Sequence, residues 1–579
     1  MRDIGFSRAT SELRMAVKEC WLVLSGVAIF SALVNMLMLV GAIYMLEVYD
    51  RVLPSQSIPT LLVLSIAAFF LFCAQGFFDF MRGRILIRVG NHLEERLNSR
   101  IFDLLSRAPQ VNQSGPDSAQ APKHLDAIKN FLSSGGPVAF IDLPWIPFFI
   151  VILFLFHWIL GAASLIGGLV IVGLTLYAEM KTREPVVQLG GEIAKKTQFT
   201  LLLRRNAEVV GSMGLRQSLV HVYGSQTEAV RLSQTLLSDL GGGMGAVSRS
   251  LRLIMQSGIL GLGALLVIWG QASAGIIIAG SILFGRALAP VDQVIANWRS
   301  FTSARESWFK LEDLLRAYPA EPERLKLPKP YQSLRVESLS FADVRKQQII
   351  LRDISFSLKP GDGLCVIGPS GAGKSSLLRL LVNVWSPTGG RVMLDNAALD
   401  QWPSDDLSNH IGFVPQDVEL FTGSIAQNIA RFHPQIDSEK VLEAARQAGI
   451  HELVLKMKEG YQTQVGENGA SLSAGQRQRV ALARAIYGAP FIVALDEPNS
   501  NLDADGDMAL SQAVRSIRER GGIVIAVSHR PSLLEAFDKI LLLRDGRMVA
   551  CGPKQEIMEK YLASAPASVK TLQQAEKPA

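Results

Sequence analysis

The sequence has 579 residues, 49% of them hydrophobic and only 19% charged, with a mean hydropathy of +0.24. Such a length calls for at least two folding units, and the hydropathy lies between that of a soluble chain and that of one wholly in a membrane, so one half is read as membrane and the other as soluble. Four scattered cysteines, Cys20, Cys73, Cys365 and Cys551, form no CxxC pair, which argues against a disulfide framework or a zinc site. The net charge of +6 raises nucleic acid as a partner, a reading that depends on where the basic residues lie.

A bilayer takes about 20 residues of helix to cross. Apolar runs of that kind occur near 20–46, 58–80, 137–156, 158–178, 251–270 and 273–290. The third and fourth, and the fifth and sixth, lie close enough to pair as tight hairpins. The first is too long for a signal peptide and lacks a small-residue cleavage site, so it is expected to be retained. Lys and Arg collect before the first span (Arg2, Arg8, Arg14, Lys18) and in the 81–136 and 179–250 loops, whereas the opposite loops offer only Arg51. Both termini and the two long loops are therefore expected to be cytoplasmic. Topology then accounts for the positive charge, and nucleic acid is set aside.

Residues 84–105, "RILIRVGNHLEERLNSRIFDLL", space their apolar positions by three and four and read as a membrane helix continuing past the bilayer. The polar stretch 108–122 reads as a turn region. Within the spans, Asn35, Gln75 and Gln256 are expected to form helix-to-helix hydrogen bonds, and Arg286 to reach the interface. "DLPWIP" (142–147) is either a kinked helix start or part of a substrate path.

These spans and loops occupy 1–316, and a Pro-rich linker follows at 317–330. Over 331–563 short β-branched runs alternate with helices, the pattern of an α/β domain with a mostly parallel sheet; 564–579 is a polar tail. Residues 363–381 contain a strand, the loop "GPSGAGKS", and an amphipathic helix, which satisfies GxxxxGK[ST] in its required setting. Gly368, Pro369, Ser370, Gly371, Ala372, Gly373, Lys374, Ser375 and Ser376 are read as the nucleotide-binding loop, in which backbone N–H groups between 369 and 375 can wrap the β-phosphate. Lys374 reaches the β- and γ-oxygens, and Ser375 takes magnesium. "FIVALDEP" (491–498) is an apolar strand ending in two acids: Asp496 for the metal shell, Glu497 as the general base that polarises the attacking water.

Together with "VPQD" (414–417), "LSAGQ" (472–476), "SNLD" (500–503) and "VSH" (527–529), in that order, these motifs resemble the ATP-binding cassette family across 331–560. The resemblance implies ATP and Mg2+ as ligands. It implies that Gln416 joins the metal and water shell, that Asp503 lies in a D-loop beside the nucleotide, and that His529 contacts the γ-phosphate. It also implies that Ser473, Ala474, Gly475 and Gln476 cap the γ-phosphate held by a second copy. Physically, Ser473 can cap its helix and the helix N-terminus favours an anion; Arg477 and Arg479 are read as fixing that helix. One set of motifs and six spans then imply a homodimer. Two departures stand out. The aromatic expected two residues after Phe341 is Asp343, leaving adenine to an apolar neighbour such as Ile349, and Ala474 replaces the usual Gly.

The expected fold is thus a membrane α-helical bundle of six transmembrane helices, fused to an α/β P-loop ATP-binding cassette. Spans N-terminal to a cassette resemble ABC exporters. "DLPWIP", "GRALAP" (285–290) and 414–432 are similar to bacterial type I protein secretion exporters, the RTX-type protease, lipase and glycanase group. That resemblance implies an ATPase in the bacterial inner membrane, secreted cargo with a C-terminal signal, a periplasmic membrane-fusion adaptor and an outer-membrane channel protein. The short segment before the first span leaves no room for a peptidase-like domain. A lipid or small-molecule exporter is the alternative; a non-transport ATPase is opposed by the six spans.

Overall fold

This computed structural model describes residues 12–111, 118–322, 324–343, 348–528 and 530–562. The chain divides into two compact units, Met1–Ala320 and Glu321–Ala579. The expected switch histidine, His529, and the polar tail lie outside the described residues.

The first unit is helical. Six helices are long and apolar enough to cross a membrane: Trp21–Ser55, Ile58–Arg107, Gly136–Phe156, Trp158–Arg205, Arg216–Ile268 and Ala274–Ala317. Several far exceed the apolar runs that mark them, because a helix continues wherever backbone bonding and amphipathic packing persist, not only where lipid would surround it. The helix Ile58–Val111 has 54 residues, about 80 Å at 1.5 Å per residue against a hydrocarbon core of about 30 Å. It absorbs the 84–105 pattern and the start of the stretch read as a turn region.

Ala274–Ala317 is the hub of this unit: 56% of its most apolar window is buried, against 6% for Ile58–Arg107. Leu283, Phe284, Ala287 and Leu288 pack with Phe149, Leu153, Leu160, Ile171 and Ile259. Small residues permit the approach; a Cβ on Gly263 would stand 3.2 Å from Ile277 Cα. Asp50, in the π-helical turn Val48–Val52, accepts the Gly275 N–H at 2.8 Å and the Ser273 hydroxyl at 2.5 Å, so the end of the first span caps the start of the last.

"DLPWIP" is not the start of the third span. Helix Gly136–Asp142 ends on the first residue of that stretch, a 3-10 turn Leu143–Trp145 follows, and helix Ile146–Phe156 continues the span. Asp142 lies in a buried polar cluster. Arg82 Nη1 donates to its two oxygens at 3.2 and 3.0 Å, Asn35 Nδ2 donates at 2.7 Å, and Ser31 Oγ also donates to it. None of the four residues is more than 5% exposed. The cluster joins the first three spans, as expected of Asn35; Gln256 likewise reaches Ser281 at 3.3 Å, while Arg286 is exposed.

The second unit contains two sheets. One has the order β2 (Gln348–Leu358), β1 (Leu334–Asp343), β4 (Gly389–Leu394), β5 (Ala397–Ala398), all antiparallel. The other runs β10 (Arg547–Pro553), β9 (Lys539–Arg544), β3 (Gly363–Ile367), β8 (Ile523–Val527), β7 (Ile492–Asp496), β6 (Ile411–Val414), parallel except for its β10 edge. Every residue of β3, β7 and β8 is buried, as for parallel strands covered on both faces. Alternation separates two cores: Val493 and Leu495 face one, Ile492 and Ala494 the other. The Pro-rich stretch read as a linker is anchored on this unit. Within it Arg324 Nη1 donates to Trp402 O at 2.8 Å, and just past its end the Tyr331, Gln332 and Ser333 N–H groups converge on the Asp395 carboxylate at 2.8–3.0 Å.

Breaking a buried charge pair from one side costs about 3–5 kcal/mol, whereas replacing both partners costs far less. Arg82→Met and Asp142→Leu are each expected to lower the thermal unfolding midpoint of the detergent-solubilised chain, and the double variant to lower it less than either.

Candidate functional site

The loops at the carboxyl ends of β3, β7 and β6 meet at one edge of the larger sheet, where open α/β sheets bind ligands. After β3 the chain turns through Gly368 (φ 155), Gly371 (φ 79) and Gly373 (φ 96). A Cβ on Gly368 would lie 2.1 Å from Leu543 O, and one on Gly373 2.7 Å from Leu351 Cδ2. Position 368 therefore demands glycine for space as well as dihedral angle, and position 373 for its dihedral angle. Pro369, Ser370 and Gly371 form an exposed crown, Ala372 is buried beneath it, and helix Lys374–Leu381 begins at once, with Ser375 and Ser376 in its first turn.

Lys374 is 7% exposed, and its ammonium donates to Gly368 O at 2.8 Å and Pro369 O at 2.9 Å. Burial pushes its pKa down, and the charges of Glu497 and Asp496 oppose that shift. A lysine so placed has donors aimed across the loop mouth, the position from which phosphate oxygens are reached. Ser375 Oγ donates to Asp496 Oδ1 at 3.0 Å. Asp496 is 1% exposed and its Oδ2 is buried without a partner; burial raises its pKa, against lowering by Ser375 and Arg379. A hydroxyl beside a carboxylate oxygen that lacks a donor fits a hard divalent cation such as Mg2+.

Glu497 takes a left-handed conformation (φ 48) directly after β7. Its N–H donates to Val527 O at 3.0 Å and its Oε2 accepts from Gln416 Nε2 at 3.0 Å. Gln416, which follows β6, thus meets the carboxylate read as the general base.

Ser473 caps helix Ala474–Ile486. Its Oγ accepts the Gln476 N–H at 3.3 Å, and the Gln476 side chain accepts the Ser473 N–H at 2.9 Å, a complete capping box. Ala474 is not among the residues with positive φ, so a methyl group there costs no backbone strain. A Cβ on Gly475 would stand 3.0 Å from Asn501 O, so its own chain leaves little room for a side chain there. Among the described residues, no hydrogen bond joins Ser473, Ala474, Gly475 or Gln476 to the phosphate loop of the same chain. Arg477 donates to Leu472 O at 2.9 Å; Arg479 donates to Gly449 O at 3.1 Å and Asp503 Oδ1 at 2.5 Å. Asp503 also caps helix Ala504–Glu519 through Gly506 N at 2.9 Å, and that bond, with Arg479, holds its carboxyl below the usual range. Its carboxylate is thus engaged by its own backbone and by Arg479.

Sequence reasoning passed over Gln478, which is 3% exposed and donates to Pro498 O at 2.5 Å and Glu497 O at 3.4 Å. No spacing rule marks a lone glutamine in a helix. Two residues before the position expected to offer an aromatic to adenine, Phe341 stacks on Trp385 at 5.0 Å, and Ile349 is 49% exposed.

A glycine loop at a helix start, a lysine across it and an acid pair on the neighbouring loop define a P-loop ATPase, here carried with a six-helix membrane unit. Residues 351–500 match the family described as ABC transporter, and residues 24–291 that described as ABC transporter transmembrane region. The chain is 48% identical over 547 residues to the type I secretion system ATP-binding protein PrsD of Rhizobium meliloti (strain 1021), covering 94% of each. It is 28% identical over 542 residues to the alpha-hemolysin translocation ATP-binding protein HlyB of Escherichia coli, covering 92% of this chain and 76% of that one. Its fold matches a bacterial Atm1-family ABC exporter with ATP bound at a TM-score of 0.79, with 22% identity over 97% of this chain and 99% of the other. The chain belongs to the ABC transporter family, among the type I secretion ATP-binding proteins. It is an ATP-hydrolysing, multi-pass membrane transporter.

Loss of a positioned general base costs about 100- to 10,000-fold in rate, so Glu497→Gln is expected to abolish steady-state ATP turnover while retaining ATP. Removing a charge-assisted contact to phosphate costs about 1.5–3 kcal/mol, tenfold or more in affinity, which is the expectation for Lys374→Ala. Normal turnover in both purified variants refutes these roles. Cys365 lies on β3 with its thiol pushed up by burial to about 12, leaving about one part in ten thousand as thiolate at pH 8. Maleimide is expected to spare it in the folded chain and label it on denaturation, as read by peptide mass spectrometry.

Proposed function

We propose that this chain is the energy-supplying inner-membrane component of a type I secretion system, moving proteins with a C-terminal signal from the cytoplasm to the exterior. The observation that carries this reading is the 48% identity to a type I secretion ATP-binding protein over 94% of both chains, which spans the membrane and cassette units alike. The working unit is a homodimer with domains at 1–316 and 331–563. It acts with a periplasmic membrane-fusion adaptor and an outer-membrane channel protein. Its termini and cassettes lie on the cytoplasmic side, where the Lys- and Arg-rich loops belong.

In this reading Gly368–Ser376 surround the ATP phosphates and Lys374 neutralises their β- and γ-oxygens. Ser375, Asp496 and Gln416 hold Mg2+, which offsets charge on the phosphates. Glu497 orients and deprotonates the attacking water, and His529 contacts the γ-phosphate. Ser473, Ala474, Gly475 and Gln476 of one copy close over the ATP of the other, with the helix N-terminus facing the anion, and Asp503 lies in the D-loop beside it. Two cassettes closing on ATP move the long helices that leave the membrane, and hydrolysis resets them.

Culture-medium proteins from cells expressing the chain at equal levels, as wild type or as Glu497→Gln, are compared by mass spectrometry. A few discrete proteins are expected to vanish from the medium and accumulate inside. Matching media would instead support a lipid or small-molecule exporter.

A further inference from the structure

The helix that begins at Ser473 is joined to the glutamate of its own chain as well as presented to a second copy. Gln478, one turn into that helix, is 3% exposed, and its Nε2 lies 2.5 Å from Pro498 O and 3.4 Å from Glu497 O. Both partners are carbonyl oxygens, so the nitrogen end of the amide must face them, and the orientation is set by chemistry. Its Oε1 is buried without a partner. That side chain therefore exists at this position for its donor.

The backbone it grips is strained. Glu497 is a non-glycine residue at φ 48, a conformation that persists only where neighbours impose it. Its N–H is held by Val527 O at 3.0 Å, its carbonyl by Ser500 N at 3.3 Å and by Gln478, and its carboxylate by Gln416 at 3.0 Å. Val527 closes β8 and Gln416 sits in an exposed loop. Gln478 is the only one of these supports carried on the Ser473 helix.

We propose that Gln478 is a positioning residue for hydrolysis: it holds the Glu497–Pro498 turn so that the carboxylate of its own chain meets the attacking water. The Ser473 helix thereby carries the state of one ATP site to the base of the other. This rests on the reading of Glu497 as general base and of Ser473–Gln476 as acting on a second copy.

Gln478→Met keeps the length and removes the amide. In the full-length chain in nanodiscs, it is expected to lower kcat at least tenfold, leave KM for ATP within twofold, and lower the thermal unfolding midpoint by only a few degrees, as the Glu497 and Pro498 carbonyls lose a donor. In a Glu497→Gln background it is expected to retain as much ATP after rapid desalting as Glu497→Gln alone, because closure over ATP does not need the amide. Unchanged kcat overturns the proposal. So does loss of the retained ATP, which would make Gln478 part of the contact to the second copy, or loss of cooperative unfolding above the assay temperature, which would make it a fold element. Normal turnover by Glu497→Gln alone would overturn the reading of Glu497 instead.

Discussion

The hydrogen bond from Ser375 to Asp496, 121 positions apart in sequence, sets the geometry of the cassette. The strands that deliver these residues, β3 and β7, are not neighbours, because β8 lies between them. With strands about 4.8 Å apart, the two loops must span about 10 Å, and they do so only because all three strands are buried and end at one edge. The fully apolar interior of the parallel sheet leaves that edge as the place where polar groups can gather. Asp496, with one buried oxygen partnered and the other not, is the consequence: a carboxylate held in a dry setting that suits a cation.

A comparable economy governs the membrane unit. Four buried polar groups, Asp142 and the three that bond it, come from three helices, and each satisfies another in a region where water is scarce. Arg82 pairs with Asp142, so the acid of "DLPWIP" ties the second span to the third. The 3-10 turn Leu143–Trp145 follows directly, so the change of helix type in the third span lies beside the side-chain network that holds Asp142. Asp50, at the far end of the first span, repeats the principle by capping the last helix from outside it.

How much of this was legible in the sequence follows from how local each feature is. The phosphate loop was readable because glycines at forced dihedrals and a lysine at the helix start occur within eight residues, and the Ser473 cap because its partner is three residues on. The number of spans was readable from hydropathy, but their lengths were not: an apolar run reports surroundings, while helix length depends on backbone bonding and packing. The Asp142–Arg82 pair, 60 residues apart, and the Asp50 cap, 225 residues from Gly275, carry no local pattern at all. Gln478 was invisible for another reason, since its partners are backbone carbonyls and backbone leaves no mark in a sequence.

Two kinds of polar contact therefore meet at the nucleotide edge. Lys374 on loop carbonyls, Ser375 on Asp496 and Gln416 on Glu497 use groups whose proposed tasks are phosphate, metal and water, so these bonds must exchange partners during a cycle. The Ser473 cap, Arg479 on Asp503 and Gln478 on Pro498 use groups buried in the fold or spent on helix ends, and exchange would leave donors or acceptors unpaired. The exchangeable set lies around the phosphate loop, and the fixed set ties the Ser473 helix to the loop that follows Glu497. The Ser473 helix and the loop after Glu497 are thus tied to each other by fixed bonds, while the phosphate loop is carried by β3.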